Sequence, residues 1–299
     1  MSEKLYMYDS AGKAHEAGEL LLTRKDGVGL FRLPPGLKPL QSNANVMVIP
    51  PYGCPFPGPA DMFRLRSQFS AAPQDPPPAV LYPQIQVTDD FEELHGYLGW
   101  LPSEATRMVP MMEYASDSCR QLAAARALAR LFVSMGDSRA LLSMVDPDGF
   151  FINPEGTLMC YVSADIPHET LQQHRDYIHY APPELLVCNQ AAHGANATAV
   201  TADYVLAVLL YRLLLKDYPF AGENPEDRIC DGISVFYDDS TEEYLHCIGQ
   251  LSAFSPELIR MFRRAFDYCS RSAYDCGRPT AGEWEAVFST ILTGKRGGT

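Results

Sequence analysis

Residues Ala202 to Leu215 form a run in which nearly every side chain is apolar, Ala-Asp-Tyr-Val-Leu-Ala-Val-Leu-Leu-Tyr-Arg-Leu-Leu-Leu. Thr201, just ahead of the run, can serve as the N-cap of a helix there. A helix without a polar face is stable in water only when other elements enclose it on all sides. The run from Tyr204 to Leu215 is interrupted by Arg212 and falls short of the roughly 20 residues a bilayer crossing needs. The chain must therefore build a helical layer thick enough to surround this helix.

The residues for that layer flank it. Ser116 or Asp117 can cap a helix running to Met135, with Leu122, Ala125, Leu128, Phe132 and Met135 on one face and Gly136 at its end. Ser255-Pro256 opens a further helix carrying Leu258, Met261, Phe262 and Phe266. Thr280 and Glu283 form a capping box before a stripe of Trp284, Val287, Phe288 and Ile291.

The first part of the chain reads differently. Gly18 to Leu22, Gly29 to Leu33, Asn45 to Ile49, Ala79 to Tyr82 and Tyr97 to Leu101 are strand candidates, the first two around the turn sequence Asp26-Gly27. Residues 51–83 are proline-rich, with one short helical candidate at Asp61 to Phe69. Within the later half, Gly149 to Ile152 and Thr157 to Val162 read as a hairpin around Asn153-Pro154-Glu155-Gly156. Strands first and helices later predict an α+β, bilobal chain. The expected division is a small β-rich lobe over 1–113, a larger helical lobe over 114–293 and a tail over 294–299.

With 299 residues, 46% of them hydrophobic, the chain can bury a substantial core. Its formal charge of −13 disfavours nucleic acid and anionic membrane surfaces as partners. Residues Met1 to Gly12 contain no apolar core of a signal peptide, and the eight cysteines include no CxxC pair. The expectation is a cytoplasmic protein with reduced thiols and no metal site.

Three segments of the helical half, taken in order, resemble the protein kinase fold. Tyr180-Ala181-Pro182-Pro183-Glu184 is similar to the APE motif that closes a kinase activation segment, with one extra proline. Ala202-Asp203-Tyr204 through Leu214, followed by Tyr218-Pro219-Phe220, is similar to the central buried helix. Arg278-Pro279-Thr280 with Glu283-Trp284 is similar to the terminal kinase stretch. The resemblance implies a bilobal kinase-like fold in which Glu184 pairs with Arg278 and Asp203 holds the backbone of the catalytic loop. The hairpin and the Arg-Pro-Thr-Ala ending are nearest to a bacterial kinase-like family.

The same resemblance locates the positions where kinase chemistry would reside, and each is replaced. Phosphoryl transfer needs a lysine on the phosphates, a glutamate holding it, a catalytic aspartate, and an asparagine and an aspartate on Mg²⁺. Val48 stands at the lysine position, and no lysine occurs from residue 39 to 215; Lys38 falls in the preceding loop and reads as a surface group. No glutamate occurs between Glu19 and Glu92 to complete that pair. Aligning the hairpin turn puts Met144 at the catalytic aspartate, Gly149 at the metal-binding asparagine and Val162 at the metal-binding aspartate. Methionine accepts no proton, and glycine and valine side chains offer no oxygen to a hard cation.

Two other arrangements bear on this. His174-Arg175-Asp176 spells a catalytic triplet but lies too close to Glu184 to leave room for a metal-binding loop. A shifted register would use Asp148, Asn153 and Asp165, at the cost of placing the asparagine in a Pro-Glu-Gly turn. Gly27 and Gly29 read as a turn rather than as a phosphate-covering loop. The expected function is that of a catalytically inactive pseudokinase acting as a protein-interaction or allosteric module, with a protein partner and no cofactor. The alternatives are a phosphotransferase built on Asp148, Asn153 and Asp165, or a small-molecule sensor using the cleft between the lobes. Residues 165–180, with His168, His174 and His179, read as a contact surface or a loop, and Asp238, Asp239, Glu242 and Glu243 as a solvated acidic face.

Overall fold

The computed structural model describes the strands of residues 6–8, 14–16, 20–23, 29–31, 45–49, 80–81, 85–88 and 94–101. It then describes residues 109–136, 139, 142, 149–161, 179–180, 182–184, 186, 198–266 and 277–296. The chain is α+β and divides into two compact units, Met1–Met108 with Met159–Thr170, and Val109–Leu158 with Leu171–Thr299.

The first unit is built on an antiparallel sheet. Its strands are β1 (Tyr6–Tyr8), β2 (Ala14–Glu16), β3 (Leu20–Thr23), β4 (Gly29–Phe31), β5 (Asn45–Ile49), β7 (Ile85–Thr88) and β8 (Leu94–Leu101), with β6 (Val80–Leu81) lying outside it. The order across the sheet is β2-β1-β7-β8-β5-β4-β3. Strand β5 lies inside the sheet between β8 and β4, and it stops at Ile49, just where Pro50-Pro51 follow in the sequence; proline has no N–H to give to a ladder. Strand β8 begins three residues before the expected Tyr97. Its ladder with β7 is irregular there, Val87 lying opposite Gly96 and Thr88 opposite Leu94. Strands β1, β2 and β7 were not expected. Three or four residues such as Tyr-Met-Tyr or Ala-His-Glu are too few for an alternating pattern to register. The helical candidate at Asp61 to Phe69 lies outside the described residues.

The second unit opens with β9 (Val109–Pro110) and a single turn, α1 (Met111–Tyr114). Helix α2 (Ser118–Met135) follows, capped by Asp117, whose carboxylate accepts from the amides of Cys119 and Arg120, both at 2.9 Å. Gly136, at φ 53°, ends it with a conformation that side chains resist. Replacing Asp117 by alanine orphans those amides and is expected to cost about 1 kcal/mol, read as a lower urea midpoint at unchanged slope.

Strand β10 (Phe150–Ile152) pairs antiparallel with β9. The turn after it is held by Asn153, whose Oδ1 accepts from the Thr157 amide at 2.7 Å. Strand β11 (Leu158–Tyr161) follows in the sequence; from Met159 on it belongs to the first unit, within which Cys160 and Tyr161 pair in parallel with Val80 and Leu81 of β6.

The apolar run is helix α3 (Ala199–Leu215). It starts three residues earlier than the sequence predicts, and its cap is Thr198 rather than Thr201. The two threonines form a reciprocal box: the Thr198 hydroxyl accepts from the Thr201 amide and the Thr201 hydroxyl from the Thr198 amide. Thirteen of its residues, from Thr201 to Leu214, are buried, as a helix without a polar face requires. Helices α4 (Pro225–Asp231) and α5 (Glu242–Phe254) were not expected. The first is seven residues long, and the second buries only Cys247 and Leu251, so neither carries a visible apolar stripe.

Helix α6 (Pro256–Phe266) and helix α7 (Ala281–Arg296) complete the unit. The capping box of α7 is formed: Glu283 accepts from the Thr280 amide at 2.8 Å, and the Thr280 hydroxyl accepts from the Glu283 amide at 3.3 Å. The helix runs into the residues read as a tail. Helices α2, α5 and α6 all touch α3. Between them lies an aromatic core centred on Phe266, whose ring lies 5.7–6.3 Å from those of Tyr204, Tyr211, Phe220, Phe236 and Phe262. Trp284 of α7 closes on Phe262 at 4.8 Å. Among the described residues, no helix is long and apolar enough to cross a membrane.

Candidate functional site

Charged side chains are rarely buried without partners, and two buried carboxylates mark the start of α3. The turn at Pro182 to Glu184 delivers the Glu184 carboxylate to Arg278, which lies just ahead of α7. Two parallel bonds join them, Arg278 Nη1 to Oε1 at 2.7 Å and Nη2 to Oε2 at 2.9 Å. The two side chains are 10% and 2% exposed. Nη1 also donates to the Val200 carbonyl at 3.2 Å, and the guanidinium lies 5.0 Å from the centre of the Tyr204 ring. The pair thus joins three segments that are distant in sequence.

One turn into α3, Asp203 receives Arg139 in the same two-pronged way, Nε to Oδ1 and Nη2 to Oδ2, both at 3.1 Å. It also accepts from the Ala281 amide. Burial pushes the Asp203 carboxyl above its ordinary pKa, and the Arg139 bonds oppose that rise. The sequence reading has Asp203 holding the backbone of the catalytic-loop stretch; residues 143–148 of that stretch lie outside the described residues, and among those described Asp203 is held by the Arg139 side chain. Arg139 Nη1 in turn donates to the Gly136 carbonyl at 2.9 Å, fixing the turn after α2. Both carboxylates are held by guanidinium groups, so this arrangement positions segments and offers no group ready to take or give a proton.

A third cluster ties down the segment before Glu184. Arg212, the one cation of the apolar run, donates to the Tyr180 hydroxyl and sits over the Tyr180 and Tyr218 rings at 5.6 and 5.2 Å. His179 stacks on Tyr218 at 4.2 Å. Of the three histidines of 165–180, His179 is therefore packed; His168 and His174 lie outside the described residues. Burial, with the hydrogen bond to Tyr218, pushes the Tyr180 phenol well up.

The positions read as degenerate are only in part described. Val48 lies on the interior strand β5, opposite Gly29 of β4 on one side and Leu98 of β8 on the other. Gly149 is buried immediately before β10. Met144 and Val162 lie outside the described residues, as do Asp148, Asp165, Lys38 and His174 to Asp176. Asn153 is buried in its turn and bonded to Thr157 as given above.

The helical unit also holds a cavity of about 520 Å³. It lies between the C-terminal end of α3, the segment 217–222, α4, the segment 233–241 and α5. Its buried surfaces include Tyr211, whose hydroxyl donates to Cys247 Sγ at 3.5 Å. Burial raises the Cys247 thiol above its ordinary pKa. The acidic face at 238–243 has local roles: Asp238 accepts from the Ser240 amide and hydroxyl, and Glu242 and Glu243 stand in the first turn of α5, where the helix dipole favours them.

Sequence reasoning missed Arg139, the Tyr180–Arg212–Tyr218 cluster and the cavity. Arg212 alone carried a signal, as the single charge inside an apolar helix. Among the described residues no group of three or more metal-binding side chains gathers, and Cys119, Cys160, Cys230 and Cys247 form no disulfide. Comparison with protein-family models and with curated proteins finds no match.

Proposed function

We propose that this chain is a pseudokinase: a bilobal kinase-like fold, without phosphoryl-transfer chemistry, that works by binding a protein partner. The observation that carries the reading is the buried Glu184–Arg278 pair, the one the kinase resemblance implies, in a chain with no lysine from residue 39 to 215. The buried helix α3, carrying Asp203 in its first turns, supports the same fold. Val48 on strand β5, in a chain with no lysine from residue 39 to 215, supports the loss of the ammonium that kinases place on the phosphates. Asn153, the asparagine of the rival register, uses its side-chain oxygen to hold the Thr157 amide, which supports its role as a turn residue.

Thermal-shift titration with ATP, with and without Mg²⁺ or Mn²⁺, tests the loss of chemistry. The expected outcome is no metal-dependent rise in melting temperature. A rise that the Asp165→Ala variant abolishes would overturn the reading in favour of a phosphotransferase.

A further inference from the structure

We propose that the cavity among α3, α4 and α5 is a docking site for a basic peptide segment of a partner protein. An apolar or aromatic side chain of that segment would enter the cavity while neighbouring arginines or lysines meet its rim.

The cavity falls within the range of about 300–1,000 Å³ typical of sites that enclose a ligand. Its lining divides by depth. Tyr211, Pro219, Ser234 and Cys247 are buried, while Asp217, Asp238 and Glu243 are exposed. Tyr237, 67% exposed, stands with the latter as an aromatic ring with little to cover it. Tyrosine is among the residues enriched at interaction surfaces.

Charge decides the sign of the partner. Against three carboxylates the lining has one guanidinium, Arg228, and His246. Arg228 belongs to the wall. Its Nε donates to the Ile233 carbonyl at 3.1 Å, and it packs so close to Gly222 that a Cβ there would lie 2.6 Å from Nη1. His246 bonds Gln250 at 2.9 Å. Two of the carboxylates accept from local donors, Asp217 from the Tyr218 amide and Asp238 from the Ser240 amide and hydroxyl. Among the described residues no cation forms an ion pair with any of the three. The rim is left with a negative field that steers cationic partners and rejects anionic ones.

The division by depth argues for a peptide over a free amine. An exposed carboxylate gains little from a cation in water, where solvent screening and side-chain entropy offset the attraction. Rim charges alone would hold a small amine weakly, whereas filling the buried floor with an apolar side chain supplies the larger, charge-independent part. A chain segment brings both at once. The choice of a protein as source rests on the interaction-module reading; the cavity and its charge do not.

The test is selection of random twelve-residue peptides on the full-length chain, followed by binding titration of the selected peptides by fluorescence anisotropy. Selected sequences should combine an aromatic or large apolar residue with at least two arginines or lysines. Their affinity should fall at least about tenfold on the double charge reversal Asp217→Lys with Glu243→Lys, roughly a 1.4 kcal/mol change. It should be unmoved by Asp231→Lys, an exposed site outside the cavity, which also shows that the chain tolerates such changes. A milder pair, Asp217→Asn with Glu243→Gln, should give an intermediate loss if charge is the cause. Selected peptides with no basic bias, equal loss in the Asp231→Lys control, or spermidine binding as tightly as the peptides would each overturn the proposal. Metal-dependent ATP binding would sink the pseudokinase reading and leave these outcomes unchanged, so the two failures are distinguishable.

Discussion

Replacing Glu184 by alanine is expected to destabilise the helical unit by about 3–5 kcal/mol, the cost of leaving a buried charge without its partner. The stranded group is the Arg278 guanidinium, which is 2% exposed and so has almost no water to replace the lost carboxylate. Arg278→Ala should cost a similar amount for a different reason. It strands Glu184 and also removes the donor to the Val200 carbonyl and the cation over the Tyr204 ring. Because the two losses share one interaction, they should not add. Removing both partners together, as Glu184→Ala with Arg278→Ala, should cost less than the sum of the single changes. Urea unfolding of the four proteins measures the cycle. A loss below about 1 kcal/mol for Glu184→Ala would mean that the pair behaves as a surface bridge.

Phe266→Ala should be comparably damaging, at about 3–5 kcal/mol. Phe266 is buried at the end of α6 and its ring meets five others, so truncation removes transfer energy and several edge-to-face or stacked contacts at once. Phe266→Leu should lose less, since it keeps most of the volume while forfeiting the ring contacts. Thermal melts followed at near-UV wavelengths would report the loss through the surrounding tyrosines. If Phe266→Ala and Phe266→Leu melted alike, volume would not be the controlling quantity.

The parts of the fold legible from the sequence are those whose signals are local. Asp117 and Gly136 bracket α2, Ser255-Pro256 opens α6, and Thr280 with Glu283 starts α7, because each cap is formed by residues three or four apart. The start of α3 was misplaced by the same rule. Thr198 and Thr201 are both plausible caps, and only their reciprocal bonding shows which lies outside the helix. Helix α5 escaped notice because two buried residues in thirteen make no stripe. For the candidate sites, Glu184 and Arg278 were legible only through the kinase resemblance. The Arg139–Asp203 contact spans 64 residues, and the cavity is assembled from several elements and connecting segments between Tyr211 and Gln250, so no local pattern could announce either.

Helix α3 was described as enclosed by its neighbours, and that enclosure bears on how the helical unit can come apart. Stripped of α2, α5 or α6, it would expose a face of leucine, valine and tyrosine to water, so no partial assembly retaining it is a stable resting state. The unit should therefore open as a single cooperative block, with amides along α3 exchanging their hydrogens only when the whole block unfolds. A nick in the exposed turns around Asp238 to Ser240 would leave the two pieces clasped, because the residues that grip this helix come from both sides of the cut.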